Sequence, residues 1–225
     1  MPTTRIFLDL DGVLADWATA AILLHGHVPE AVLSSWPAGT YDLADVLGIS
    51  DDVLWRPIND AGASFWADLE PLPWCGDLMS LCMRTAPTTI LTSPSKDPAA
   101  AAGKTMWLQA AFGSSFRDYL IGPAKVACAY PGAVLIDDAD KNCETFVASA
   151  TDVRTGAEAI VFPQRWNSKH GLVPWIEREG PIGYVLDRLE HIAGQRSGIP
   201  GWLPSSEQAG QLGVEPACCR PHCHP

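Results

Sequence analysis

Short, nearly continuous apolar runs, each closed by a polar residue, set the pattern of this chain. Arg5-Ile6-Phe7-Leu8-Asp9-Leu10-Asp11 is the first and is stopped by Gly12. Thr88–Thr92, Ala133–Asp137 and Ala159–Phe162 repeat the form, and 117–121 is a fifth, weaker candidate. Runs this short and this apolar predict strands buried on both faces. Between them, the spacing of apolar residues predicts helices near 74–85, 98–112, 139–149 and 181–193. Strands alternating with helices imply right-handed crossovers and a Rossmann-like, three-layer α/β fold around a parallel sheet.

Two intervals break the rhythm. From 16 to 73 there are helical pieces and turns but no convincing strand, too long a stretch for a simple βα connection. It is expected to be a small helical cap inserted after the first strand, dense in aromatics: Trp17, Trp36, Tyr41, Trp55, Phe65 and Trp66. Residues 1–15 and 74–194 would then form the core. The last 31 residues, 195–225, include nine Gly or Pro and show no apolar period, which predicts a flexible tail. Its Cys218-Cys219-Arg220-Pro221-His222-Cys223-His224 segment has soft ligands but lacks two separated ligand pairs around a foldable loop, so an unstructured tail is the default over structural zinc.

Charge narrows the partners. With 15 Lys and Arg against 26 Asp and Glu the formal net charge is −11, which argues against a groove tracking a polynucleotide. The longest apolar run, Ala18–Leu24, is far below a membrane span. Met1–Arg5 leads directly into the first strand without a secretory pattern, and the seven cysteines fit a reducing cytoplasm. Cys75, Cys82, Cys128 and Cys143 are expected to be buried small apolar residues. A homodimer is compatible with the sequence.

Candidate chemistry lies at the strand ends, where ligands collect in parallel sheets. Asp9 and Asp11, two apart on a strand, would face one point; Thr92 and Ser93 follow the second strand, and Asp137 and Asp138 the one ending at Ile136. Four carboxylates in one crevice repel one another unless a cation joins them, and hard oxygen ligands suit Mg2+.

Asp9-Leu10-Asp11-Gly12-Val13-Leu14-Ala15-Asp16, Thr92-Ser93-Pro94-Ser95, a downstream lysine and Leu135-Ile136-Asp137-Asp138 resemble the four motifs of the haloacid dehalogenase (HAD) superfamily. Within it the chain most resembles the 5′(3′)-deoxyribonucleotidases, through the extended first motif, Phe65-Trp66-Ala67-Asp68-Leu69-Glu70-Pro71 and the Thr-Ser-Pro segment. The resemblance spans roughly residues 4–166. It implies an Asp9 nucleophile forming an aspartyl-phosphate, Asp11 as proton donor and then acceptor, and Thr92 with the Ser93 backbone on the phosphoryl group. It further implies Mg2+ held by the Asp9 carboxylate, the Asp11 carbonyl and Asp138, with Asp137 behind them.

The third-motif lysine has two candidates. Lys104 has the deoxyribonucleotidase spacing and is favoured for phosphate contact. Lys125 has the general superfamily position and is expected to pair with Asp137, while Lys96 is a further substrate candidate. Trp17 falls where the family carries a base-stacking aromatic, and Phe65 and Trp66 complete an apolar slot. Arg165 or Asn167 would reach the site from the last strand.

The superfamily's dehalogenases lack the second aspartate, because halide needs no proton on leaving; its presence here favours ester hydrolysis. The expected function is a Mg2+-dependent phosphomonoesterase acting on (deoxy)nucleoside 5′-monophosphates. The rivals are another small phosphate ester as substrate, the phosphorylated end of a polynucleotide, or a non-catalytic HAD-like binding module.

Overall fold

The computed structural model describes residues 3–150 and 156–194. The tail and its Cys/His cluster lie outside the described residues. Five parallel strands, β1 (Arg5–Leu8), β2 (Thr88–Thr92), β3 (Tyr119–Ile121), β4 (Ala133–Asp137) and β5 (Glu158–Val161), form one sheet in the order β3-β2-β1-β4-β5. In register, Phe7 lies opposite both Thr89 and Leu135. The chain first builds outward from β1 to β3, then returns across the sheet to β4. That reversal creates the crevice between β1 and β4 at the carboxyl ends of the strands.

The period of two along each strand divides the core. Ile6, Leu8, Ile90, Val134, Ile136 and Ile160 belong to the larger cluster, whereas Phe7, Leu91, Ala133 and Leu135 form a smaller one with Phe146. β1, β2 and β4 are almost wholly buried, as their unbroken apolar runs predicted; the edge strands β3 and β5 are partly open.

Between β1 and the core lie five helices: α1 (Trp17–Leu24), α2 (Pro29–Ser34), α3 (Leu43–Leu47), α4 (Asp51–Ala61) and α5 (Ala63–Ala67). Asp16 and Asp42 cap α1 and α3 by accepting from the Thr19 and Ala44 amides. A short paired neck closes the insertion: the Asp16 amide donates to Glu70 O and the Leu72 amide to Leu14 O, both within 2.9 Å.

The core helices are α6 (Cys75–Thr85), α7 (Pro98–Phe112), α8 (Asp140–Ser149), α9 (Val173–Glu179) and α10 (Ile182–Ile192). Asp97 caps α7 through the Ala99 amide, and Pro98 occupies its first turn, where the missing N–H costs nothing. α9, started at a proline and ended at Gly180, was too short to show a period in the sequence.

One expectation is corrected. β1 ends at Leu8, not Asp11. Beyond it the Leu10 carbonyl accepts from the Leu14 and Ala15 amides, and Gly12 adopts φ +71°. Asp9 and Asp11 therefore lie in a tight turn, and strand alternation is not what brings them together.

Candidate active site

The turn after β1 has no room for a side chain at Gly12. A Cβ at Gly12 would stand 2.3 Å from Asp138 Oδ2 and 3.0 Å from the Trp166 ring, and its φ suits only glycine. This close approach brings the first-motif turn against the end of β4. Carboxylate oxygens of Asp9, Asp137 and Asp138, all buried, fall within 4.8 Å of one another. Asp11, next along the turn, has a buried Oδ1 with no hydrogen-bond partner.

The carboxylates differ in what they already hold. Asp137 accepts from the Ala139 amide, from Asn142 on both oxygens, and from Lys125 Nζ at 2.6 Å. Its lone pairs are committed to the protein. Asp138 accepts from the Trp166 indole N–H at 2.8 Å on Oδ2, and its main-chain oxygen accepts from Asn167. Asp9 Oδ1 stands 2.8 Å from Lys125 Nζ as an ion pair, without the alignment of a hydrogen bond. Asp9 and Asp138 thus keep oxygens free for a cation, and Asp137 anchors Lys125.

Burial raises the carboxyl pKa of Asp11, with Asp9 adding to it and Lys104 opposing it. Desolvation, then the Asp9 charge, pushes Asp137 up to about 6, against the pull of Lys125. Asp138 rises well above the carboxylate range for desolvation and for its neighbours Asp137 and Asp9. A divalent cation would reverse these costs, and three buried carboxylates with oxygens within 4.8 Å of one another make an all-oxygen donor set that fits one.

The two candidate lysines part company. Lys125, on a single 3-10 turn (Lys125–Cys128), bridges Asp9 and Asp137 and lines the cavity above them. Desolvation depresses its pKa, but the two carboxylates more than offset that and raise it, so it stays charged. Lys104 is fully buried in α7, donates to Thr92 Oγ1 at 2.8 Å and pairs with Asp11, but does not line the cavity. Of the two, Lys125 lines the cavity and Lys104 does not.

The cavity, about 380 Å³, lies between cap and core. Asp9, Asp11, Thr92, Ser93, Lys125 and Asp138 form its floor, and Trp17, Trp36, Tyr41, Trp55, Trp66 and Trp166 line it too. Trp17 packs on Trp55 with ring centres 6.0 Å apart, and Trp36 of the cap on Trp166 of the core at 5.4 Å. Tyr41 sits at the mouth with an exposed ring. Desolvation, together with the charges of Asp138, Asp9, Asp137 and Asp11, pushes its hydroxyl pKa up.

Several expected contributors are elsewhere. Phe65 packs edge-on against Trp66 and does not line the cavity. Lys96 is exposed outside it. Arg165 pairs with Glu177 and does not line the cavity, and Asn167 is buried beneath Asp138, where it ties together the loop after β5. Cys75, Cys82 and Cys143 are buried, while Cys128 is only partly so. Sequence reasoning assigned no role to Trp166 or Asn142. Asn142 lies five residues after Asp137, in the first turn of α8.

A family described as 5′ nucleotidase, deoxy (pyrimidine), cytosolic type C protein matches residues 3–170. The chain belongs to this family. Membership makes it a phosphoric monoester hydrolase of the HAD type. No curated relative matches the chain. Among solved structures it is similar to a haloacid dehalogenase-like hydrolase from Streptococcus pneumoniae, at 17% identity and TM-score 0.41, covering 65% of this chain and 80% of that one. A Lactobacillus plantarum protein described as a phosphoglycolate phosphatase is similar at 17% identity and TM-score 0.42, covering 72% and 87%. Among the described residues no helix is long and apolar enough to cross a membrane.

Proposed function

We propose that the chain is a Mg2+-dependent 5′-nucleotidase that hydrolyses (deoxy)nucleoside monophosphates through an aspartyl-phosphate. The observation that carries this is one cavity whose floor is the Asp9–Lys125–Asp138 constellation and whose remaining lining is largely aromatic. A nucleobase offers two π faces to such a slot, and stacking contributes roughly 1–3 kcal/mol per base. A sugar phosphate would leave its hydroxyls against indole rings.

In this reading Asp9 attacks phosphorus while the ester P–O bond breaks, and Asp11 delivers a proton to the departing oxygen. The nucleoside leaves as an alcohol. Asp11 then takes a proton from the water that attacks the phosphoryl-Asp9, releasing inorganic phosphate. Thr92 donates its hydroxyl to the phosphoryl oxygens, and Lys125 balances charge beside Asp9. Asp9, Asp138 and the Asp11 carbonyl would hold Mg2+, which supplies charge stabilisation to the transferring group. The cap excludes bulk water.

The test is release of phosphate from a panel of nucleoside monophosphates with and without Mg2+, run beside Asp9→Asn. Mg2+-dependent turnover of at least one nucleotide, lost in the variant, is expected. Turnover of sugar phosphates but of no nucleotide would refute the substrate class, and wild-type activity in Asp9→Asn would refute the nucleophile.

A further inference from the structure

Lys104 is a buried cation with no exposed surface, and its surroundings account for every one of its protons. One N–H is donated to Thr92 Oγ1 at 2.8 Å, a second to Asp11 Oδ2, and Nζ lies 5.0 Å from the centre of the Trp66 ring. An ammonium has three donors, and a ring face within about 6 Å satisfies one as a cation–π contact. None remains for a substrate phosphate.

What Lys104 does to its two partners is specific. Thr92 Oγ1 receives the lysine proton on a lone pair, so its own O–H is free to donate, and Thr92 lines the cavity. Asp11 gives one oxygen to the lysine and keeps Oδ1 buried without a partner. Lys104 thereby presents one donor and one open carboxyl oxygen at the same cavity wall.

The cap holds this arrangement shut. Trp66 is carried by α5, which packs directly on α7 next to Lys104. A Cβ on Gly103 would lie 2.3 Å from Ala63 O and 2.6 Å from Trp66 Cβ, so the absence of a side chain there is what lets α5 approach.

We infer that Lys104 is a positioning residue for proton transfer: it orients the Asp11 carboxyl toward the leaving oxygen, under a cover that Trp66 supplies from the cap. It makes no contact with phosphate. The step it serves is transfer of the Asp11 Oδ1 proton to the ester oxygen as that oxygen takes the electron pair of the breaking P–O bond, while Asp9 forms the new bond to phosphorus. The inference rests on the phosphatase reading of the site but not on a nucleotide as substrate.

The experiment compares two leaving groups in Lys104→Met, with Mg2+ present. An alkyl phosphate that the wild type turns over, such as glycerol phosphate or a nucleotide, needs the proton; p-nitrophenyl phosphate leaves as a stabilised phenolate and does not. kcat/KM reports the first transfer. General acid catalysis contributes about 10²–10⁴-fold, so the variant should lose roughly a hundredfold or more on the alkyl ester and about tenfold or less on the aryl one. Inhibition by inorganic phosphate should be unchanged. An equal loss on both esters, or clearly weaker inorganic-phosphate binding, would overturn the assignment; the first result marks a merely structural lysine and the second a phosphate ligand. Should Lys104→Met fail to fold, Lys104→Gln is read by the same ratio, and Trp66→Leu, which keeps the cation, should shift that ratio in the same direction. A wild type that hydrolyses simple esters but no nucleotide would remove the nucleotidase reading and leave this comparison intact.

Discussion

Replacing Gly103 by alanine sets two effects of opposite sign against each other. Gly103 is a buried interior residue of α7, where alanine is the better helix former by about 0.8–1.0 kcal/mol. Against that, the new methyl would stand 2.3 Å from the Ala63 carbonyl oxygen and 2.6 Å from Trp66 Cβ. Backbone and a Cβ atom cannot swing aside as a side-chain tip can, so α5 must retreat by roughly 1 Å to reach ordinary contact distance. Overpacking of this kind costs about 1–3 kcal/mol, and a backbone neighbour places it in the upper half of that range. The net is a loss of about 1–2 kcal/mol, or about 2–8 °C in Tm for a chain of this size. Activity should fall further than stability, because the displaced helix carries Trp66 off Lys104, and misplacements near 1 Å cost on the order of a hundredfold. Thermal denaturation and phosphate release on the same preparation measure both. A Tm at or above wild type with unchanged kcat/KM would refute the close-packing argument and the link between cap and Lys104.

Three further outcomes are expected. Asp138→Asn removes one of three crowded carboxylates, so the metal-free variant should be more stable than the metal-free wild type. Mg2+ at a hundred times its Kd should stabilise the wild type by about 2.7 kcal/mol and the variant hardly at all; equal Mg2+ shifts in calorimetry would place the cation elsewhere. Trp17→Leu should lower kcat/KM on nucleoside monophosphates by a factor corresponding to about 1–3 kcal/mol of stacking, while glycerol phosphate is little affected; parallel losses would show that Trp17 only packs the cap against Trp55. Burial pushes the Cys82 thiol up to about 12 and Cys75 up to about 11, from an ordinary 9, so the folded state keeps protons that the unfolded chain gives up. Their contribution is complete below pH 9 and lost as pH rises through 11 to 12. Denaturant unfolding from pH 9 to 11 should show a shallower fall in Cys82→Ala, and an unchanged slope would contradict the burial.

The floor of the site was legible because its acids sit at the ends of strands that announce themselves. Asp9, Thr92, Asp137 and Asp138 each close or follow an apolar run, and local order sufficed to bring them to one edge of a parallel sheet. The lysines were not separable in this way. Lys104 lies twelve residues after Thr92 and Lys125 twelve before Asp137, and each pairs with that partner. Spacing is therefore silent about which cation faces solvent. That depended on α7 being sealed by α5 and on the short turn at Lys125 being left open to the cavity.

The aromatics mark the same boundary. Phe65 and Trp66 are adjacent on one short helix, where consecutive side chains diverge by about 100°, so only one faces the cavity. Trp36 and Trp166 meet across the junction of cap and core although 130 residues separate them, a contact that no local pattern encodes. By itself, then, the sequence determined the parallel α/β sheet, the helical stretch that follows its first strand and the crowding of acids at the strand ends, since these follow from periodicity and from residues at strand ends. Which lysine meets Asp9, which aromatics wall the cavity and how the first-motif turn reaches Asp138 were decided by the tertiary structure alone. Those depend on how closely helices approach, and that is set by side-chain volume at Gly12 and Gly103 rather than by any repeat along the chain.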